Sequence, residues 1–163
     1  MNLWHVFIAL VISSFLIGCS SNQTRFVEGS FPSKAPHFID LSDQQQSSEH
    51  KVLLITATAG KQTQLKIIKI NQQAFNEAAQ GLVLPAGQYD FDVVLQDGEI
   101  QIPLNLKQIT LHSGHRYLMN FSLNQTTENT EPASDKAIHI ILNVTNLETN
   151  QPVYNRAFKA IAQ

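Results

Sequence analysis

Three kinds of side chain in this sequence could do chemistry: one thiol, a few imidazoles and a closely spaced pair of carboxylates. The thiol is Cys19, the only cysteine, which closes the apolar run VISSFLIGC and opens the polar stretch SSNQT. A thiol so placed can act as a nucleophile, an acylation site or a metal ligand. His112 and His115 flank a Ser-Gly pair, and with His139 they could offer three imidazoles to a metal. No second cysteine or nearby carboxylate completes that set, and two polar turn residues plus a solvent-facing strand histidine are the favoured reading. No metal or cofactor is therefore expected. Asp90 and Asp92 share one face of an alternating segment, as a pair for acid–base work would. The same alternation puts them opposite the apolar face, in solvent, while Asp97 and Glu99 fall to a turn. The chain carries neither a Gly-x-Ser-x-Gly elbow nor a phosphate-cradling glycine loop. The expectation is a protein without catalysis.

Cys19 carries the firmest reading. No Lys, Arg, Asp or Glu occurs between Leu3 and Gly18. Ser13 and Ser14 cut the apolar run short of the roughly 20 residues a bilayer span needs, and an apolar stretch ending in small residues reads as an export signal. Met1 to His5 lacks the Lys or Arg usual at the start of such signals. Leu16-Ile17-Gly18-Cys19 resembles the lipobox of bacterial lipoproteins: a branched apolar residue three before the cysteine, a small residue directly before it, and the thiol. The resemblance implies cleavage before Cys19, a diacylglyceryl group on its sulfur and an acylated amino terminus. Several acyl chains, at about 0.8 kcal/mol per buried methylene, hold a protein where one would be marginal. Ser20, in place of Asp, implies the outer membrane, and the domain is expected on the periplasmic face rather than the cell surface. A lone lipidated cysteine leaves no intramolecular disulfide, so the domain must be held by its core.

The remaining composition narrows the class. With 11 basic and 13 acidic residues the chain has no strongly basic face, which argues against nucleic acid as a partner. The expected division is a signal peptide at 1–18, a lipidated tether at 19–50 and one β-sandwich domain at 51–163. The tether holds Pro32, Pro36 and the run QQQSS, and it shows no sustained period. One short docked strand is expected near residues 38–41. A flexible linker of about 20 to 30 residues spans roughly 25–33 Å, enough to hold the body clear of the lipid.

The elements that must position these side chains read as strands. Tyr89, Phe91, Val93 and Leu95 alternate with polar residues, and Ile100, Ile102, Leu104 and Leu106 do so after Asp97-Gly98, which predicts a hairpin with a type I′ turn. Pro103 lacks a ladder donor and marks an edge or a bulge. Ile109 and Leu111, then Tyr117 to Leu123, then Ile138 to Val144 continue the pattern, with turns at residues 112–115 and 150–152. Residues 124–136 form a polar loop expected to be mobile. Residues 52–59 and 65–70 are further strands, whereas 73–80 and 155–162 are short helical candidates. Tyr89, Phe91, Tyr117 and Phe121 are assigned to the core, and Phe75, Tyr154 and Phe158 remain possible anchors for a partner. The fold class is all-β, a single antiparallel sandwich of about seven or eight strands.

Three turns extend this. Ile70-Asn71-Gln72, Leu84-Pro85-Ala86-Gly87-Gln88-Tyr89 and Ser113-Gly114-His115-Arg116-Tyr117 resemble the turns of PEGA-type domains and related bacterial lipoproteins with a transthyretin-like sandwich. Pro presets φ, Gly supplies backbone freedom and the aromatic starts the core face. The Gly-x-x-Pro element that PEGA repeats usually carry after the Asn turn is missing. The resemblance implies a non-catalytic envelope or surface module. The functional expectation is therefore a lipid-anchored binding or assembly module, an accessory of an envelope or secretion complex with a protein partner. The alternative is a lipoprotein that binds a small ligand, a glycan or a metal.

Overall fold

Alternation of period two becomes twelve strands in the computed structural model, which describes residues 24–34, 37–42, 50–126 and 136–162. Cys19 and the signal segment lie outside the described residues, as do 127–135 of the polar loop. The segment expected to be tether supplies β1 (Thr24–Glu28) and β2 (Phe38–Asp40). The body contains β3 (Lys51–Thr56), β4 (Thr58–Ala59), β5 (Thr63–Ile70), β6 (Gln73–Ala79), β7 (Gly81–Pro85) and β8 (Gly87–Asp97). It ends with β9 (Ile100–Leu111), β10 (Arg116–Thr126), β11 (Lys136–Asn146) and β12 (Gln151–Ala162).

Two sheets form. The first has seven strands in the order β12-β11-β10-β3-β7-β2, with β1 also on β10, and the second has five in the order β4-β5-β8-β9, with β6 also on β5. The chain passes from one sheet to the other at buried Ala57, whose N–H donates to Met119 O (2.8 Å) while its carbonyl accepts Leu65 N–H (3.1 Å). Between the sheets lies one continuous core in which Phe91, Tyr117 and Phe121 are the largest fully buried side chains. Among the described residues no helix is long and apolar enough to cross a membrane.

The all-β sandwich is as expected, with three corrections. It has more strands than seven or eight, and the first sheet is mixed, because β3 runs parallel to β10 and β2 parallel to β7. The helical candidates 73–80 and 155–162 are strands. Asn71 (φ 46°) and Gln72 (φ 71°) make a tight two-residue turn that folds β6 back on β5, and β12 pairs with β11 along its whole length. Inter-strand pairing outweighs the modest helix propensity of Ala, Gln, Lys and Arg. The β8–β9 turn is centred one residue later than expected. Asp97 pairs with Ile100, leaving Gly98 (φ 62°) and Glu99 as central residues, with positive φ only at the glycine. That is the type II′ pattern rather than I′.

A bulge explains a change of phase in β9. Ile102, Leu104 and Leu106 are buried, and so are Ile109 and Leu111, which a strict period of two would turn outward. One extra residue at Lys107-Gln108, with Gln108 at φ 59°, restores the core face.

Candidate functional site

The carboxylates read as a possible acid–base pair hold the bulge instead. Asp90 accepts Gln108 N–H (2.9 Å) and Lys107 Nζ–H (2.9 Å), which together hold its carboxyl below the usual range. Asp92 accepts from Asn105 Nδ2 and has Lys69 Nζ at 3.5 Å. Both face outward from the second sheet, opposite buried Phe91 and Val93, so each is tied to its own strand neighbours.

The histidines are separated. His112 donates its backbone N–H to Tyr117 Oη (2.9 Å), and His115 lies in the same β9–β10 turn, its Nδ1 3.1 Å from Asn146 Nδ2. Asn146 Oδ1 accepts Glu148 N–H and Thr149 N–H, which leaves its amide NH2 facing the His115 ring. His139 sits on the outer face of β11, seven residues from Asn146, about 23 Å along the strand. Among the described residues no group of three His, Cys, Asp or Glu is placed to hold a metal. Beside His115, Arg116 Nε donates to Glu148 Oε1 (2.8 Å) and Arg116 N–H to Oε2 (3.0 Å), which holds this carboxyl low. The cluster staples the β11–β12 turn to the start of β10.

Sequence reasoning missed the strongest polar constellation. Asp97, assigned to the hairpin alone, has a side chain only 3% exposed. Arg25 grips it with both guanidinium nitrogens (2.8 and 3.1 Å), Thr63 Oγ1 donates at 2.6 Å and Gln125 Nε2 at 2.9 Å. Burial pushes the Asp97 carboxyl up, but these donors and the Arg25 charge outweigh it and hold the group below its ordinary value. The four residues come from β1, β5, β8 and β10, so one carboxylate ties the N-terminal strand to both sheets. The available signal was Asp97 closing an alternating run, which a turn already explained.

The two turn motifs that end in tyrosine are explained by their hydroxyls. Tyr89 Oη donates to Pro85 O (2.7 Å) and Tyr117 Oη accepts from His112 N (2.9 Å), each closing its own turn from the core side. Gly114 has φ 74°, where glycine is favoured, whereas Gly87 keeps an ordinary φ.

Comparison of the chain with protein-family models, with curated proteins and with solved structures finds no match.

The feature best suited to binding is the seam between the sheets. β9 ends the second sheet and β12 ends the first, and a groove of about 570 Å³ lies between them. Ile100, Ile102 and Pro103 line one wall, and Ile138, Ala160 and Ile161 the other. Pro103 lacks an N–H and blunts the β9 edge. From Val153 onward β12 has no proline, and its outer edge has no strand partner among the described residues. Of the unassigned aromatics, Phe75, Tyr154 and Phe158 pack partly buried against the core. The widely exposed ones are Phe26 (64%) and Phe31 (52%).

Proposed function

We propose that this chain is an exported lipoprotein of the outer membrane, anchored through acylated Cys19 on the periplasmic face. Its PEGA-like, transthyretin-like sandwich binds a protein partner without catalysis, as an accessory of an envelope assembly. The observation that carries the binding role is the β9–β12 groove beside an edge strand that has no strand partner on its outer side among the described residues. An extended segment laid along β12 gains main-chain hydrogen bonds from the edge and lies in a groove where Ile100, Pro103 and Ala160 offer apolar contact and Glu99 and Gln101 polar contact. Such edges invite pairing, and natural proteins usually block them. The carboxylates support the non-catalytic reading, because Asp90, Asp92, Asp97 and Glu148 are each engaged by a neighbouring cation or donor. The lipobox and the absence of any second cysteine support the anchor.

The test places a photo-cross-linking side chain at Arg156 or Lys159 on β12, and at Glu77 on β6 as a control, in the lipidated protein in intact cells. The reading expects one protein adduct from the two β12 positions, absent from Glu77 and lost when Ala160→Lys puts a charge in the groove wall. Equal or no cross-linking from the three positions overturns it.

A further inference from the structure

Only four residues, Ser20 to Gln23, separate Cys19 from the first residue of β1. Five Cα steps reach at most about 18 Å. The strand they lead to is part of the folded body: it pairs with β10 from Thr24↔Thr126 to Glu28↔Ser122, and Gly29 N–H donates to Phe121 O (2.8 Å). The Arg25–Asp97 pair locks the same strand to the β8–β9 hairpin. The leash between lipid and domain is therefore much shorter than a 19–50 tether implies.

Thr24 lies at one end of the sandwich. The β4–β5 turn and the β8–β9 hairpin share that end, since Gly98 N–H donates to Gln62 O (3.1 Å). The turns at 71–72, 112–115 and 147–150 lie at the other. With β10 eleven residues long, the two ends stand about 35 Å apart. Seating the far end on the lipid would require twice the reach that the chain between Cys19 and Thr24 has.

We propose that the Thr24 end of the sandwich rests on the lipid surface, with Lys61 and Glu99 at the headgroups and Phe26 and Ile161 at its margin. The proposal rests on acylation of Cys19. Phe26 (64% exposed) and Ile161 (58%) flank this end on the outer face of the first sheet, where apolar side chains suit the boundary between headgroups and acyl chains. The β4–β5 and β8–β9 turn tips there carry one cation, Lys61, and one anion, Glu99. The far end, with Arg116, Glu148 and the tyrosine-closed turns, is presented to the periplasm, and the groove rises along the side from the lipid.

Cys19 makes the test clean, because a sulfur that carries a diacylglyceryl group is a thioether and does not react with a maleimide. In the full lipidated chain, Lys61→Cys, Glu99→Cys and Thr149→Cys are each labelled with a fluorophore. They are reconstituted in phosphatidylethanolamine–phosphatidylglycerol vesicles that carry a headgroup nitroxide quencher. The seating predicts several-fold stronger quenching at 61 and 99 than at 149. Inserting a long Gly-Ser segment between Gln23 and Thr24, which leaves the domain untouched, abolishes the difference. An acylated chain quenched equally at all three positions overturns the seating and leaves the lipoprotein reading intact. Maleimide labelling of the unsubstituted chain, with no acyl mass on its N-terminal peptide, overturns both.

Discussion

Single residues in this protein act mostly by closing turns and joining strands, and Asp97 does the most. Four donors from three strands meet its buried carboxylate, two of them on the Arg25 guanidinium, which is half in solvent. Replacing it with Asn removes the charge-assisted bonds while keeping the shape. Asp97→Asn should cost about 2 kcal/mol in urea unfolding, since bonds to charged groups contribute about 1.5–3 kcal/mol each and Arg25 stays partly hydrated. The pH dependence has a definite sign. The folded Asp97 binds its proton less tightly than the unfolded one, whose value lies near 3.9, so the unfolded state takes up more protons in acid. Its contribution is complete above about pH 5 and drains away as pH falls through the lowered folded value. Wild type should lose stability in that window more steeply than Asp97→Asn, and parallel curves would refute the account. The tyrosine hydroxyls make a smaller claim. Tyr89→Phe removes one bond to Pro85 O and should cost about 1 kcal/mol with the fold unchanged by circular dichroism.

At the scale of elements, β2 illustrates how a short strand is held. Three register pairs with β7 are little on their own, but the Phe38 ring lies over Gly81, where an added Cβ would collide with the ring edge. An aromatic covering a glycine on the neighbouring strand is a known way to pin sheet register. Gly81→Ala should push the ring aside and release β2, at a cost of about 1–3 kcal/mol, the usual penalty of overpacking. Faster proteolysis within residues 37–42 is the readout, and unchanged cleavage would mean that β2 is held by its backbone alone. The edge strand β12 gives a second test. Paired on one side only, its amides should exchange with deuterium faster than those of β11, which has strands on both sides. Equal protection would mean that its free edge is covered.

For the molecule as a whole, the boundary of the folded body lies earlier than residue 51. β1 fills the edge of β10 beyond the reach of β3 and supplies Arg25 to Asp97. A chain that begins at residue 50 leaves that carboxylate without its cation and Phe121 without the Gly29 backbone beside it. It should be about 3 kcal/mol less stable than one that begins at residue 20, because removing one partner of a buried pair is costly. Coincident unfolding curves for the two chains would show that β1 is dispensable. The same strand sets how near the body stands to its anchor, so stability and membrane seating are joined in one segment.

Much of this was legible in the residues alone. Alternation of period two marked the strands in residues 52–59, 65–70, 89–111, 117–123 and 138–144, because a half-buried sheet imposes that period on any sequence that fills it. The core aromatics Phe91, Tyr117 and Phe121, with Tyr89 partly buried beside them, and the edge role of Pro103 follow from the same local rules, whereas the turn at Asn71-Gln72 was implied by the resemblance. Tertiary structure decided what depends on partners far away in sequence. Segments 73–80 and 155–162 carry helix-compatible residues and become strands only because β5 and β11 offer them ladders. β1 has too few residues to declare itself and is defined by β10, about a hundred residues later. Asp97 looks like any turn residue until Arg25 arrives across 72 positions of chain. Local pattern reports what each stretch can bury, and only packing reports against what it is buried.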